Sequence, residues 1–183
     1  MATTKLMTAE DLWELGDSGN CRRELVRGEL REMPLHVEEH GALTALIGAH
    51  LVLHVRQNQL GTVCAGGTGC ILHHDPDTVL APDVAFVRAG RLPDDRDRSK
   101  FIESSPDLIV EVVAPSDLYS EFTEKLIIYL DTWVHNIWII EPYSKIVMIY
   151  SPDDAAKILT IDDELDGGDV LPGFRIPVSE LFS

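Results

Sequence analysis

Pro106-Asp-Leu-Ile-Val-Glu-Val-Val113 decides the fold. Leu108, Ile109, Val110, Val112 and Val113 are apolar on both faces of a period-two strand. That is the pattern of a central strand covered on both sides. Glu111 interrupts it. A bare carboxylate there is costly, so Glu111 must be neutral, paired or bound to a cation.

Outward from this strand the chain alternates strand and helix patterns. Upstream, Pro82-Asp83 opens a second buried strand at 84–87, and a polar loop fills 88–105. Downstream, Ser116 or Asp117 caps a helix expected to reach Trp133. A hairpin at 137–150 turns on Pro142-Tyr-Ser, a weaker strand covers 156–161, and Asp166-Gly-Gly-Asp is a tight turn. Toward the N-terminus, Thr8 and Asp11 form a capping box for a short helix to Leu15. Residues 16–20 are a turn cluster. Two short strands, 23–26 and 29–33, turn near Arg27-Gly28. A helix is expected over 36–59, ended by Gly61, with His40, Leu43, Ile47, His50, Leu51 and His54 on one stripe. Residues 62–74 read as one strand bent by Gly66, Gly67 and Gly69. This order predicts a single α/β domain over 1–183, with a central mixed β-sheet flanked by helices.

The length of 183 residues suits one domain with a real core. No apolar run approaches the roughly 20 residues of a membrane span, and the first fifteen residues have no signal-peptide pattern. Cys21, Cys64 and Cys70 are too few and wrongly spaced for a disulfide framework or a zinc site. A reducing cytoplasm is the expected location. The formal net charge is −16, which opposes unaided binding to phosphates. Two basic clusters run against it: Arg22, Arg23, Arg27 and Arg31, then Arg88, Arg91, Arg96, Arg98 and Lys100. Solvated surface is the simpler reading of both.

The helix after Glu111 carries Leu118, Phe122, Leu126, Tyr129 and Trp133 on one apolar stripe. Lys125 lies on the edge of that stripe, aimed at the sheet, unless it snorkels or pairs with Glu121. Asp83 and Glu111 then stand on adjacent strands. With the Val112 carbonyl as a third oxygen donor they make a hard-cation site of the Mg²⁺ or Mn²⁺ type. A nearby lysine stabilises charge on a phosphoryl oxygen or positions a water.

Pro82-Asp83 followed by Glu111-Val112-Val113 resembles the PD-(D/E)XK nuclease signature, with the lysine displaced from Val113 onto the next helix at Lys125. More specifically, the chain resembles the Uma-two family of restriction-endonuclease-like proteins. The matching pieces are Glu24-Leu-Val-Arg-Gly-Glu-Leu, His40, Pro82-Asp83-Val, the stretch from Pro106 to Val113, Pro115-Ser-Asp, 121–125 and Trp138-Ile-Ile-Glu-Pro. The resemblance implies a restriction-endonuclease-like fold acting on DNA. Asp83 and Glu111 would be metal ligands, Lys125 the catalytic lysine, and Glu24 the acidic residue near the start of the fold that helps hold metal or water. Arg23, Trp133 and Asn136 depart from the family's pattern. An aromatic residue often stands at the first of these positions and glycine usually at the second.

Other features are weaker. His50 and His54 lack a His-Glu-x-x-His pattern. His40 can approach Glu24 and the metal site, or pack and cap. Cys64 and Cys70 read as core thiols. The acidic residues of 162–169 read as a solvated turn. A different class remains open: a homo-oligomeric interaction protein on a nuclease fold that no longer cuts. The acidic charge favours it, and the hairpin 137–150 offers strand edges for a homodimer.

Overall fold

The computed structural model describes residues 6–16, 19, 21–115 and 117–183. The expected turn residues Asp17, Ser18 and Asn20 and the candidate cap Ser116 lie outside them. Helix α1 (Ala9–Glu14) starts on the Thr8–Asp11 capping box. Strands β1 (Arg22–Val26) and β2 (Glu29–Met33) form a hairpin through Arg27 and Gly28, both at positive φ. Helix α2 (Glu38–Gln57) follows, shorter than expected at both ends. Its C-cap is Asn58, and Gly61 belongs to the next strand rather than to the helix stop. There φ is +154°, and an added Cβ would meet the Val87 carbonyl oxygen at 2.1 Å, so glycine is required for the strand to pair.

The expected bent strand is two strands in different sheets. β3 (Gly61–Ala65) and β4 (Cys70–His73) are separated by the glycine corner. β5 (Thr78–Leu80) was not visible as a strand; it follows a turn with a cis Asp75-Pro76 bond. β6 (Val84–Arg88) and β7 (Leu108–Val112) come next. Helix α3 (Tyr119–Asp131) is shorter than the predicted helix. Its N-cap, Leu118, has no side-chain cap, and Asp117 instead accepts from the Ala114 N–H at 2.8 Å. β8 (Asn136–Glu141), β9 (Ile146–Tyr150), β10 (Lys157–Leu159), β11 (Glu164–Asp166), β12 (Arg175–Pro177) and α4 (Val178–Leu181) complete the chain.

The large sheet is mixed, in the order β10-β9-β8-β7-β6-β3. Only β7 and β8 are parallel, joined through α3; the other pairs are antiparallel. A second, antiparallel sheet runs β2-β1-β5-β4, and β11-β12 form a ribbon. The large sheet is the central mixed sheet expected from the sequence; the second sheet is an addition to it, formed where the chain leaves the large sheet at Gly66–Gly69 and returns at Pro82-Asp83. The hairpin 137–150 offers no free edge: β8 is paired by β7 and β9, and β9 by β8 and β10.

Alternation along β7 sorts the core. Leu108, Val110 and Val112 pack with Leu43, Ile47, Leu51 and Val55 of α2. Ile109 faces the other way, with Ile128 and Tyr129 of α3 and Val26, Cys70 and Leu80 of the second sheet. Burying each such side chain contributes roughly 1.5–3 kcal/mol. Glu111 shares the parity of Ile109 and so faces α3 and the second sheet.

Candidate active site

Strands β6 and β7 pair as Val84↔Val110, Ala85↔Ile109 and Phe86↔Leu108. Continuing that register by one residue sets Asp83 opposite Glu111, where β6 begins and β7 ends. The Val112 N–H donates to Asp83 Oδ2 at 2.9 Å and pins the carboxylate to this sheet end. Both residues line a cavity of about 450 Å³ with Arg22, Glu24, His36 and Lys125.

Glu24 is 1% exposed. Its Oε1 accepts from the Ala81 N–H and from Lys125 Nζ, each at 2.9 Å. Lys125 thus reaches inward from α3, as its place on the stripe predicts, but its partner is Glu24 rather than Glu121. Burial pulls the Lys125 ammonium down; Glu111 and Glu24 outweigh it and hold its pKa above the ordinary value. Two ends of the predicted stripe are not core: Leu118 and Trp133 are exposed, because α3 stops short of both.

Glu111 keeps some surface on the cavity yet is densely surrounded by protein. Burial pushes its carboxyl up to about 7; Lys125 opposes the rise, while Asp83 and Glu24 add to it. Tyr129 donates its hydroxyl to Glu111 Oε1 at 2.6 Å. Burial raises the Tyr129 phenol far above its usual range, which keeps the proton on it. Asp83 goes the other way. Burial raises it, but His40, the Val112 N–H and Arg22 outweigh burial and hold it below the usual carboxylate range. Two carboxylates with pKa values driven apart are a recurrent mark of functional sites.

A second cluster meets Asp83 from the first turn of α2 and the segment just before it. His40 Nε2 lies 3.0 Å from Asp83 Oδ2 and His36 Nε2 3.6 Å from Oδ1, with the two rings stacked at 3.4 Å. His40 Nε2 thus faces Asp83 Oδ2 at ion-pair distance and is the first influence that opposes burial in holding that carboxylate low. Burial, with Arg22 and His40 nearby, pushes His36 down to about 4. Arg22 reaches Asp83 Oδ1 at 3.3 Å, and Arg31 meets Glu124 at 2.6 Å. These two arginines therefore turn to the cavity and are not free surface charge; Arg23 stays on the rim with Glu32.

The Uma2 family, described as "Putative restriction endonuclease", matches residues 9–179. The chain belongs to the Uma2 family. A solved structure entitled as a "putative nuclease belonging to DUF820", from Anabaena variabilis, shares the fold: 17% identity, TM-score 0.81, 96% of this chain and 97% of that one. A comparison with curated proteins finds no match. Membership in Uma2 supports a nuclease, and restriction-endonuclease-like nucleases usually use divalent metals. The donor set fits such an ion. Asp83, Glu111 and Glu24 are hard oxygen donors around one cavity, and a dication there would offset both the burial that chiefly raises the Glu111 pKa and the lesser repulsion from Asp83 and Glu24.

The remaining candidates fall outside this site. His50 lies 3.4 Å from Glu180, and His54 meets the Pro172 carbonyl. Cys70 is buried, its thiol pushed up to about 12 by burial, and Cys64 is half-buried. Of the acidic residues expected in a solvated turn, Glu164 and Asp166 lie instead on β11 and pair with Arg175 of β12. Sequence reasoning missed His36, the Arg22–Asp83 contact and the Tyr129–Glu111 bond. The i,i+4 spacing of His36 and His40 at a helix start was a usable signal; the other two depend on contacts between distant segments.

Proposed function

We propose that this chain is a metal-dependent endonuclease that hydrolyses DNA phosphodiester bonds. Supporting this reading is the convergence of Asp83, Glu111, Lys125 and Glu24 on one cavity in a chain of a restriction-endonuclease family. Mg²⁺ or Mn²⁺ would be held by Asp83, Glu111 and the main-chain carbonyl of Val112. Bound there, the ion would supply Lewis acidity toward a phosphoryl oxygen and lower the pKa of its water. Glu24 holds Lys125 in place. The Lys125 ammonium, kept charged, stabilises negative charge growing on the phosphorane oxygens as water oxygen bonds to phosphorus and the P–O bond to the leaving strand breaks. Arg22 lends local positive charge to a protein whose net charge is −16. A homodimer would present two such sites to the two strands of a duplex.

The test is cleavage of plasmid, branched and single-stranded DNA with Mg²⁺ or Mn²⁺, beside Glu111→Ala and Lys125→Ala. Cutting should be lost in both variants; equal cutting by all three proteins refutes the reading. The net charge favours a second reading, a homo-oligomeric nuclease fold that no longer cuts. Calorimetry separates the two: on that reading Mn²⁺ binds the natural chain no more tightly than Glu111→Ala.

A further inference from the structure

His36 and His40 are not explained by a carboxylate site alone. A ligand atom from each lies within 4.8 Å of the other and of an Asp83 oxygen, the one such group of three among the described residues. His40 is 3% exposed at the first turn of α2, and its buried Nε2 points at Asp83 Oδ2, 3.0 Å away. His36 Nε2 is likewise buried and meets Asp83 Oδ1 at 3.6 Å, beyond hydrogen-bond range. A buried polar atom left without a hydrogen bond is costly, and two imidazole nitrogens aimed at one carboxylate, one of them too far to bond it, call for an explanation. The Nδ1 side of His40 is 3.4 Å from the Thr44 hydroxyl, an outer contact of the sort that sets a ligating tautomer.

We propose that His36, His40 and Asp83 form a nitrogen-rich site for a transition-metal dication of the Zn²⁺ class. It rests on the reading of Asp83 as a metal ligand, and adds two imidazoles that Mg²⁺ would not choose. Imidazole nitrogen suits Zn²⁺, Co²⁺ and their neighbours, whereas Mg²⁺ prefers oxygen. Nitrogens about 2.0–2.1 Å from a tetrahedral ion stand about 3.3 Å apart, and their rings diverge outward to centroids roughly 5 Å apart, so the rings, now stacked at 3.4 Å, must fan open as the ion enters. Two neutral imidazoles and one carboxylate leave a fourth position open, the arrangement of catalytic rather than structural sites. Arg22 holds Asp83 Oδ1 through one contact of 3.3 Å and makes no bond through Nε, so its guanidinium is weakly tethered and can yield that oxygen.

The experiment is titration of the whole purified chain with Co²⁺, read by ligand-field absorption and by calorimetry, with Mn²⁺ in parallel. Variants are His36→Gln, His40→Gln and Glu111→Gln, each checked for folding by its unfolding midpoint. The natural chain and Glu111→Gln should both show the absorption of nitrogen-bound Co²⁺. His36→Gln and His40→Gln should each weaken Co²⁺ at least tenfold and leave Mn²⁺ binding within about twofold. His36 is only half-buried, so its variant decides the matter if His40→Gln does not fold. Co²⁺ bound equally by the histidine variants but lost in Glu111→Gln overturns this site and leaves the carboxylate site standing. Failure of the natural chain to bind either ion overturns both.

Discussion

Tyr129 and Glu111 are joined by a 2.6 Å hydrogen bond that ties α3 to the central strand β7. The donor is a phenol held protonated by burial, and the acceptor a carboxylate that burial has pushed up to about 7. The bond favours the charged form of Glu111 and so limits that rise. Tyr129→Phe keeps the ring in the core and removes only the hydroxyl. It should destabilise the protein by about 1.5–3 kcal/mol, the range for a hydrogen bond to a charged group. The Glu111 pKa should rise further, moving the acidic limb of any pH–rate profile to higher pH. Denaturant melts and a pH profile of the variant check both.

The same carboxyl makes stability depend on pH in a direction unusual for a carboxylate. Its pKa is raised from 4.5 in the ordinary state to about 7 in the fold. The folded state therefore binds more protons than the unfolded one between those values. The stabilisation is complete below 4.5 and is lost as pH rises through about 7, amounting to roughly 3 kcal/mol. Asp83, held low, acts oppositely and is felt only in more acidic solution. Urea midpoints measured from about pH 5 to about pH 8 should fall with pH for the natural chain. Glu111→Gln should flatten that slope, and a slope unchanged in the variant would assign it elsewhere.

Lys125 and Glu24 are a buried pair, 2.9 Å apart, with Glu24 almost wholly inside. Removing one partner strands the other's charge. Lys125→Met should cost about 3–5 kcal/mol in stability as well as activity. Adding Glu24→Gln should recover a large part of the stability and none of the activity. The amide still accepts the Ala81 N–H but no longer leaves an anion without a counter-charge. A thermodynamic cycle over the four proteins, read by urea unfolding, measures the coupling.

Much of the site was legible because its residues violate the pattern around them. Glu111 stands out in an apolar strand, Asp83 follows a proline at a strand start, and Lys125 interrupts an apolar helix stripe. The strands that carry them are long enough to show their period. The second sheet was not legible. β5 is three residues long, and its pairing with β1 joins Leu25 to Val79, far apart in the chain. No local pattern encodes that contact. The helix ends were misjudged for a related reason: Leu118 and Trp133 continue the apolar spacing of α3, yet both are exposed beyond its first and last turns. Arg22 read as surface because its charge is answered by Asp83, sixty-one positions later.

Trp133 is the departure from the family pattern with the clearest physical consequence. The family usually has glycine here, and the structure gives Trp133 a φ of +60° just after α3. That left-handed conformation presses a Cβ toward the following carbonyl and costs a side-chain-bearing residue about 1–2 kcal/mol; glycine adopts it freely. The indole is 69% exposed, so little packing holds it there. Trp133→Ala and Trp133→Gly lose the same ring, but only the alanine variant keeps the strained Cβ. Glycine also loses more conformational freedom on folding, which offsets part of the gain. Trp133→Gly should therefore be more stable than Trp133→Ala by about 1 kcal/mol, a difference of about 2–4 °C in Tm for a chain of this size. Equal Tm values for the two would mean that the turn relaxes to negative φ once the indole is gone.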